Sequence, residues 1–161
     1  MNDSVSAADG ANHKRFERMG VAADAGTVAR IREQFACWLG RFFDLDPVRG
    51  GDIVLATNEA LANAAEFAYL LADRPGTMDL RASYDAARAR LTVTISDSGS
   101  WHISAAIVDT GSRCRGIPLM RALSDDATIE MSTAGTQVSM QWNGVRHAVA
   151  DRLRGGQNQT A

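Results

Sequence analysis

Residues 58–69 read Asn58-Glu59-Ala60-Leu61-Ala62-Asn63-Ala64-Ala65-Glu66-Phe67-Ala68-Tyr69. On a helix, Glu59, Asn63 and Glu66 stand at i, i+4 and i+7 and so share one stripe. A carboxylate is thereby placed one turn from a carboxamide. Alanine at 60, 62, 64, 65 and 68 leaves room for a neighbour to approach closely. Taken alone, such a stripe is a solvated helix face, because surface helices usually look this way. Its meaning depends on what surrounds it.

Asp46-Pro47 supplies an N-cap followed by a proline at the first helical position, and no proline or glycine follows Gly51 for twenty-odd residues. This predicts a helix over 47–71. Upstream, Asp24 is a good N-cap for a segment in which Val28, Ile31, Phe35, Leu39 and Phe42 recur at spacings of three and four, predicting a helix over 25–42. Downstream, Arg74-Pro75-Gly76 breaks the chain. Met78, Leu80, Ala82 and Tyr84 then alternate with polar residues, as do Leu91, Val93 and Ile95 after a turn at 85–88. Two strands paired as a hairpin are expected, ending at Asp97-Ser98-Gly99.

Residues 100–114 show no clean period and read as a loop, and Gly116–Leu123 resumes a helical pattern with Pro118 in its first turn. Ile129 and Met131, a turn through Thr133-Ala134-Gly135, and Val138, Met140 and Trp142 give a second hairpin. Segments 1–15 and 151–161 are polar and aperiodic, so they are expected to be flexible tails around one domain at 16–150. Every strand is patterned for one buried face. The expected fold is therefore an α/β (α+β) two-layer sandwich, a mostly antiparallel mixed sheet with helices on one face. A parallel dinucleotide-binding sheet is disfavoured, because its strands would be continuously apolar and a glycine-rich turn would follow the first.

With 17 Lys and Arg against 19 Asp and Glu the chain carries a net charge of −2 and no basic run, which argues against direct nucleic acid binding. Cys37 and Cys114 form neither a disulfide framework nor a zinc-ligand spacing, and His13, His102 and His147 offer no metal constellation. The first ten residues lack a basic and an apolar region, and no apolar stretch reaches the ~20 residues that span a bilayer. A cytoplasmic protein without membrane attachment is expected.

Three further segments could carry chemistry. Asp97-Ser98-Gly99-Ser100-Trp101 places a carboxylate at a strand end, with a glycine that admits a ligand close to the backbone. Arg115-Gly116-Ile117-Pro118-Leu119-Met120-Arg121-Ala122-Leu123 opens a helix whose free N–H groups and dipole favour a phosphate. Gly135-Thr136 lies in the last hairpin. Singly these read as a strand-terminating turn, an ordinary helix start and a hairpin turn.

In this order, Glu-x-x-x-Asn on a helix, Asp-x-Gly after a strand, Arg-Gly opening a helix and Gly-Thr in a final hairpin resemble the N, G1 and G2 boxes of the Bergerat ATP-binding fold, over residues 16–142. Within that histidine kinase-like superfamily the segments look most like the anti-sigma-factor serine kinases of bacterial partner-switching systems. The resemblance implies ATP and Mg²⁺ as cofactors, with Asn63 giving its amide oxygen to the metal and Glu59 acting as the base toward a serine hydroxyl. It also implies that Asp97 accepts a hydrogen bond from the adenine amino group beside Gly99. Thr136, next to Gly135, would support the same end of the nucleotide, and Arg115, Gly116 and Ile117 would hold the phosphates beneath a lid at 100–114. The implied partners are an anti-anti-sigma antagonist protein, phosphorylated on serine, and an RNA polymerase sigma factor, bound by a homodimer.

Two positions depart from that pattern: Cys114 replaces the first glycine of a frequent Gly-x-Gly, and Phe67 replaces a frequent histidine. Cys114 keeps open a second function, a non-catalytic ATP-binding module that captures its partner stoichiometrically. A redox-sensitive Cys114 is a minor alternative, and Trp101 reads as an apolar plug beneath the lid. A third reading, the catalytic domain of a two-component histidine kinase, is disfavoured because the chain begins too late for a dimerisation helix pair and the lid is short.

Overall fold

A computed structural model describes residues 14–69, 72–99 and 116–148. Two long helices follow from capping. Helix α1 (Ala25–Phe42) starts at Asp24, whose extended backbone lets its carboxylate accept from the Thr27 N–H at 2.8 Å. It buries Val28, Ile31, Phe35, Trp38 and Leu39 along one stripe. Helix α2 (Pro47–Phe67) starts at Asp46, whose carboxylate accepts from the Arg49 N–H at 2.9 Å, and Pro47 sits where its missing N–H costs nothing. Its inward face is built largely of alanines 56, 60, 64 and 68 with Ile53 and Leu61. The helix ends at Phe67, short of the expected 71, with Ala68 as its cap.

The strands are β1 (Arg15–Ala22), β2 (Phe43–Asp44), β3 (Thr77–Asp85), β4 (Arg90–Asp97), β5 (Asp126–Ser132), β6 (Gly135–Trp142) and β7 (Arg146–His147). Five of them form one sheet in the order β1-β3-β4-β6-β5. All its pairings among the described residues are antiparallel, the limiting case of the mostly antiparallel sheet expected. The two hairpins read from sequence are β3–β4 and β5–β6. Their junction, β4 against β6, is what builds the site.

Register explains the alternation. Across β3, β4 and β6 the inward rows are Tyr84–Leu91–Trp142, Ala82–Val93–Met140, Leu80–Ile95–Val138 and Met78–Asp97–Thr136. Three rows are fully apolar and buried against the helices, contributing about 1.5–3 kcal/mol for each large side chain removed from water. The fourth row, at one end of the sheet, gives way to a carboxylate and a hydroxyl. The opposite face carries Ser83, Thr92, Thr94, Ser96, Gln137, Ser139 and Gln141, none of them buried.

At the other end, Phe16, Phe35, Trp38, Phe43, Tyr84 and His147 form a ring cluster with neighbouring centroids 4.9–5.8 Å apart. The short β2–β7 pair closes over it. The Tyr84 hydroxyl donates to the Val145 carbonyl at 2.8 Å, and burial, with the Asp85 charge, holds its pKa above the usual phenol value.

The edge strand β1 has no counterpart in the sequence reading. A bulge between Arg18 and Val21 breaks its alternation, and Gly20, at φ +60°, donates its N–H to the Asp79 carboxylate. Helix α3 (Gly116–Leu123) lies against α2 and is tied down at its C-terminal end. The Trp142 indole N–H donates to the Leu123 carbonyl at 2.7 Å, and the Ser124 hydroxyl donates to that of Met120 at 2.7 Å. Just beyond, Asp125 joins Arg49 of α2 at 2.8 Å and accepts from the Asn143 N–H at 2.7 Å.

Candidate functional site

The polar stripe of α2 is not a simple solvated face. Asn63 is buried, at 7% exposure, and Glu59 is half-buried. Both side chains converge on the first residue of α3. A Cβ at Gly116 would lie 3.0 Å from Asn63 Nδ2, 3.2 Å from Asn63 Oδ1 and 3.3 Å from Glu59 Oε2. Glycine there brings the start of α3 against the carboxamide and the carboxylate. Pro118 lacks an N–H, and the N–H groups of Gly116 and Ile117 have no partner inside the helix. An amide and a carboxylate therefore meet beside the N-terminal turn of α3. Glu66, further along the stripe, is exposed and does not reach it.

A second group of the expected residues meets at the sheet end. Asp97 and Thr136 stand opposite each other in the β4–β6 ladder, at 8% and 4% exposure. The Asp97 carboxylate accepts from the Gly99 N–H at 3.0 Å, which bends the chain away from the strand. Gly135 has φ +139° and presses on the Asp97 carbonyl, where a Cβ has no space. Gly99 presses in the same way on the carbonyl of Ala68, just past the end of α2. Two glycines thus join three chain-distant segments by direct backbone packing.

Thus Glu59, Asn63 and Gly116 form one cluster, with Ile117 beside it, and Asp97, Gly99, Gly135 and Thr136 form another, linked through α2. Arg115, the 100–114 lid, Trp101, His102 and Cys114 lie outside the described residues. Cys37 is an exposed thiol on α1, remote in the chain from both groups.

The sequence reading missed Tyr69 and Gly76. The Tyr69 ring fills the space where a Gly76 Cβ would stand, and its hydroxyl donates to the Thr77 carbonyl and accepts from the Ser98 N–H at 3.0 Å. Both residues stood in segments already singled out. Nothing in their spacing signals that they meet.

The donor set suits a magnesium nucleotide. Mg²⁺ takes oxygen ligands and keeps waters, so one amide oxygen beside the phosphates is sufficient from the protein. Gly116 lets the start of α3 pack directly against the Asn63 carboxamide, so the amide oxygen stands at the helix N-terminus. Among the described residues there is no cluster of three or more His, Cys, Asp or Glu able to hold a metal alone, and no helix long and apolar enough to cross a membrane.

The family model for the histidine kinase-like ATPase domain matches residues 21–142, most of the chain. Among solved structures, the chain is similar to the RsbU and RsbW domains of Rv1364c from Mycobacterium tuberculosis, with a TM-score of 0.63 and 21% identity over 82% of this chain. It spans 33% of that chain's length, and at this identity the likeness speaks for the fold. No curated protein matches.

Proposed function

The chain belongs to the histidine kinase-like ATPase domain family, and from that premise we propose that it is an ATP-binding serine kinase and anti-sigma factor of the partner-switching type. The observation that carries this reading is the convergence of Glu59 and Asn63 on the N-terminus of α3 at Gly116. An ATP-binding domain accounts for it: phosphate oxygens facing the Gly116 and Ile117 N–H groups would be favoured by the helix dipole, and Arg115, next in sequence, is proposed to join them. Asn63 is the metal ligand. When bound, Mg²⁺ neutralises phosphate charge.

Glu59 is the base. It stands one turn before Asn63 on the same helix, so a serine hydroxyl brought to the terminal phosphate can pass its proton to Glu59 Oε2. Little covalent chemistry is asked of the protein, and most of the rate gain comes from alignment and charge. Asp97 accepts a hydrogen bond from the adenine amino group, where guanine offers a carbonyl. Thr136 supports that end through its hydroxyl, and Gly99 and Gly135 hold the surrounding backbone together by close packing on the Ala68 and Asp97 carbonyls.

The partners in this proposal are an anti-anti-sigma antagonist, phosphorylated on serine, and an RNA polymerase sigma factor. A cytoplasmic homodimer would hold them. The similarity to a structure containing an RsbW domain supports this choice within the family.

The test incubates the protein with labelled ATP, Mg²⁺ and a candidate antagonist, and follows serine phosphate. Glu59→Gln is expected to keep nucleotide binding while transfer falls by about 10²–10⁴-fold. Transfer that survives the change removes Glu59 from the mechanism. Binding without transfer in the parent protein assigns it instead as a stoichiometric capture module.

A further inference from the structure

Tyr69 occupies a place that backbone hydrogen bonding leaves open. The β3–β4 ladder ends at Met78 opposite Asp97, and the next residues in register are Thr77 and Ser98. They form no rung of the ladder. The phenol oxygen of Tyr69 stands between them, donating to the Thr77 carbonyl and accepting from the Ser98 N–H. The hydroxyl bridges the two strands where they part from the ladder.

The parting begins one residue after Asp97. Ser98 is held by Tyr69, and Gly99 is held by Asp97's own carboxylate and by packing on the Ala68 carbonyl. Ala68 and Tyr69 are adjacent at the end of α2, the helix that carries Glu59 and Asn63. One short segment therefore fixes the Asp97-Ser98-Gly99 turn from two sides and references it to the helix. The Tyr69 ring is held by Gly76, where any side chain would displace it.

We infer that Tyr69 is a positioning residue for adenine recognition, acting through Ser98 to hold the Asp97 carboxylate where the base is read. The inference rests on the proposed nucleotide site. The role assigned to Tyr69 runs through Ser98 and not through contact with the nucleotide. The Tyr69 side chain stops the ladder from closing past Asp97, and the turn then presents the carboxylate at the sheet end. Phenylalanine keeps the ring in its seat, still holding the two strands apart, and leaves the Thr77 carbonyl and the Ser98 N–H to water.

The test uses the full chain, with Mg·ADP and Mg·GDP as probes in calorimetric titrations. Tyr69→Phe is expected to weaken ADP binding about tenfold, to leave the weak GDP binding unchanged, and to shift the thermal midpoint little. Combined with Asp97→Asn it should add little to the loss that Asp97→Asn causes alone, as expected for residues acting in series. Parent-like ADP affinity in Tyr69→Phe overturns the inference, as does an equal loss for both nucleotides.

Hydrogen exchange at the Ser98 amide reads the clamp without any ligand. Protection should fall at least tenfold in Tyr69→Phe, and unchanged protection also overturns it. If the parent binds no nucleotide while Ser98 protection falls as expected, the proposed function fails, the clamp stands as geometry, and its role in adenine recognition falls with the site.

Discussion

Replacing Gly116 by alanine adds one methyl group where α2 and α3 meet, and the surrounding distances say what must move. The new carbon would stand 3.0 and 3.2 Å from the two amide atoms of Asn63 and 3.3 Å from Glu59 Oε2, inside ordinary contact by a few tenths of an ångström. Asn63 is buried and has little space to retreat, whereas half-buried Glu59 can swing outward. Gly116 does not use the left-handed backbone region, so alanine is locally acceptable. It should contribute about 0.4–1 kcal/mol by restricting the unfolded chain. The crowding costs about 1 kcal/mol or a little more.

These effects nearly cancel, so stability should change by no more than about 1 kcal/mol, which is about 2–4 °C in midpoint for a domain of this size. Binding has no such offset. Displacing a charge-assisted contact costs about 1.5–3 kcal/mol, or roughly ten- to hundredfold in affinity. Titration calorimetry with Mg·ADP and scanning calorimetry of the same samples separate the two. Gly40→Ala is the control, because nothing stands within 4 Å of a Cβ there. An ADP affinity within about twofold of the parent's, in a folded Gly116→Ala variant, would refute the assignment of this junction to the phosphates.

Other positions give different signatures. Gly135→Ala must strain a backbone at φ +139° and push the Asp97 carbonyl, so urea unfolding should register a loss of at least about 2 kcal/mol together with lost ADP binding. Trp142→Phe leaves the Leu123 carbonyl without its indole donor and opens a gap in the core, costing about 2–3 kcal/mol at unchanged m-value. The third concerns acid. Burial pushes the Asp125 carboxyl up, but the Arg49 hydrogen bond, the Asn143 N–H and the Arg49 charge outweigh it and leave the pKa below its ordinary value. Hydrogen bonds from the Thr27 N–H to Asp24, and from the Arg88 side chain to Asp85, lower those two as well. A depressed carboxylate contributes stability above its unfolded pKa and loses it as pH falls through the folded one. Thermal midpoints should thus stay level from neutrality to about pH 5 and fall progressively below about pH 4; a midpoint that rises on acidification contradicts these assignments.

Both long helices and the two main hairpins are legible from local sequence, because Asp24, Asp46 and Pro47 act within their own turn and the alternation at 78–84 and 91–95 directly reflects one buried face. Strand β1 is not, since the bulge at Arg18 to Val21 removes the period that would reveal it. The end of α2 is misread for a different reason. Ala68 and Tyr69 are good enough helix formers, but Gly99, Thr77 and Ser98 engage them from elsewhere in the chain. Glu59, Asn63, Asp97, Gly116 and Thr136 stand out in the sequence only as a set, through the resemblance of their order to the boxes of the ATPase family. Their division into two clusters depended on β4 lying beside β6, a long-range pairing that no local pattern encodes.

Asp97 is held in place by counting. Its strand is bonded on both sides, Met78 across one edge and Thr136 across the other. Inserting or deleting a single residue between 90 and 97 would turn over the side chains from that point to the strand's end, sending Asp97 outward and bringing Ser96 or Ser98 inward. Descendants of this gene can therefore explore substitutions along β4 far more freely than changes in its length, and indels should accumulate in the surface turns before they are tolerated there.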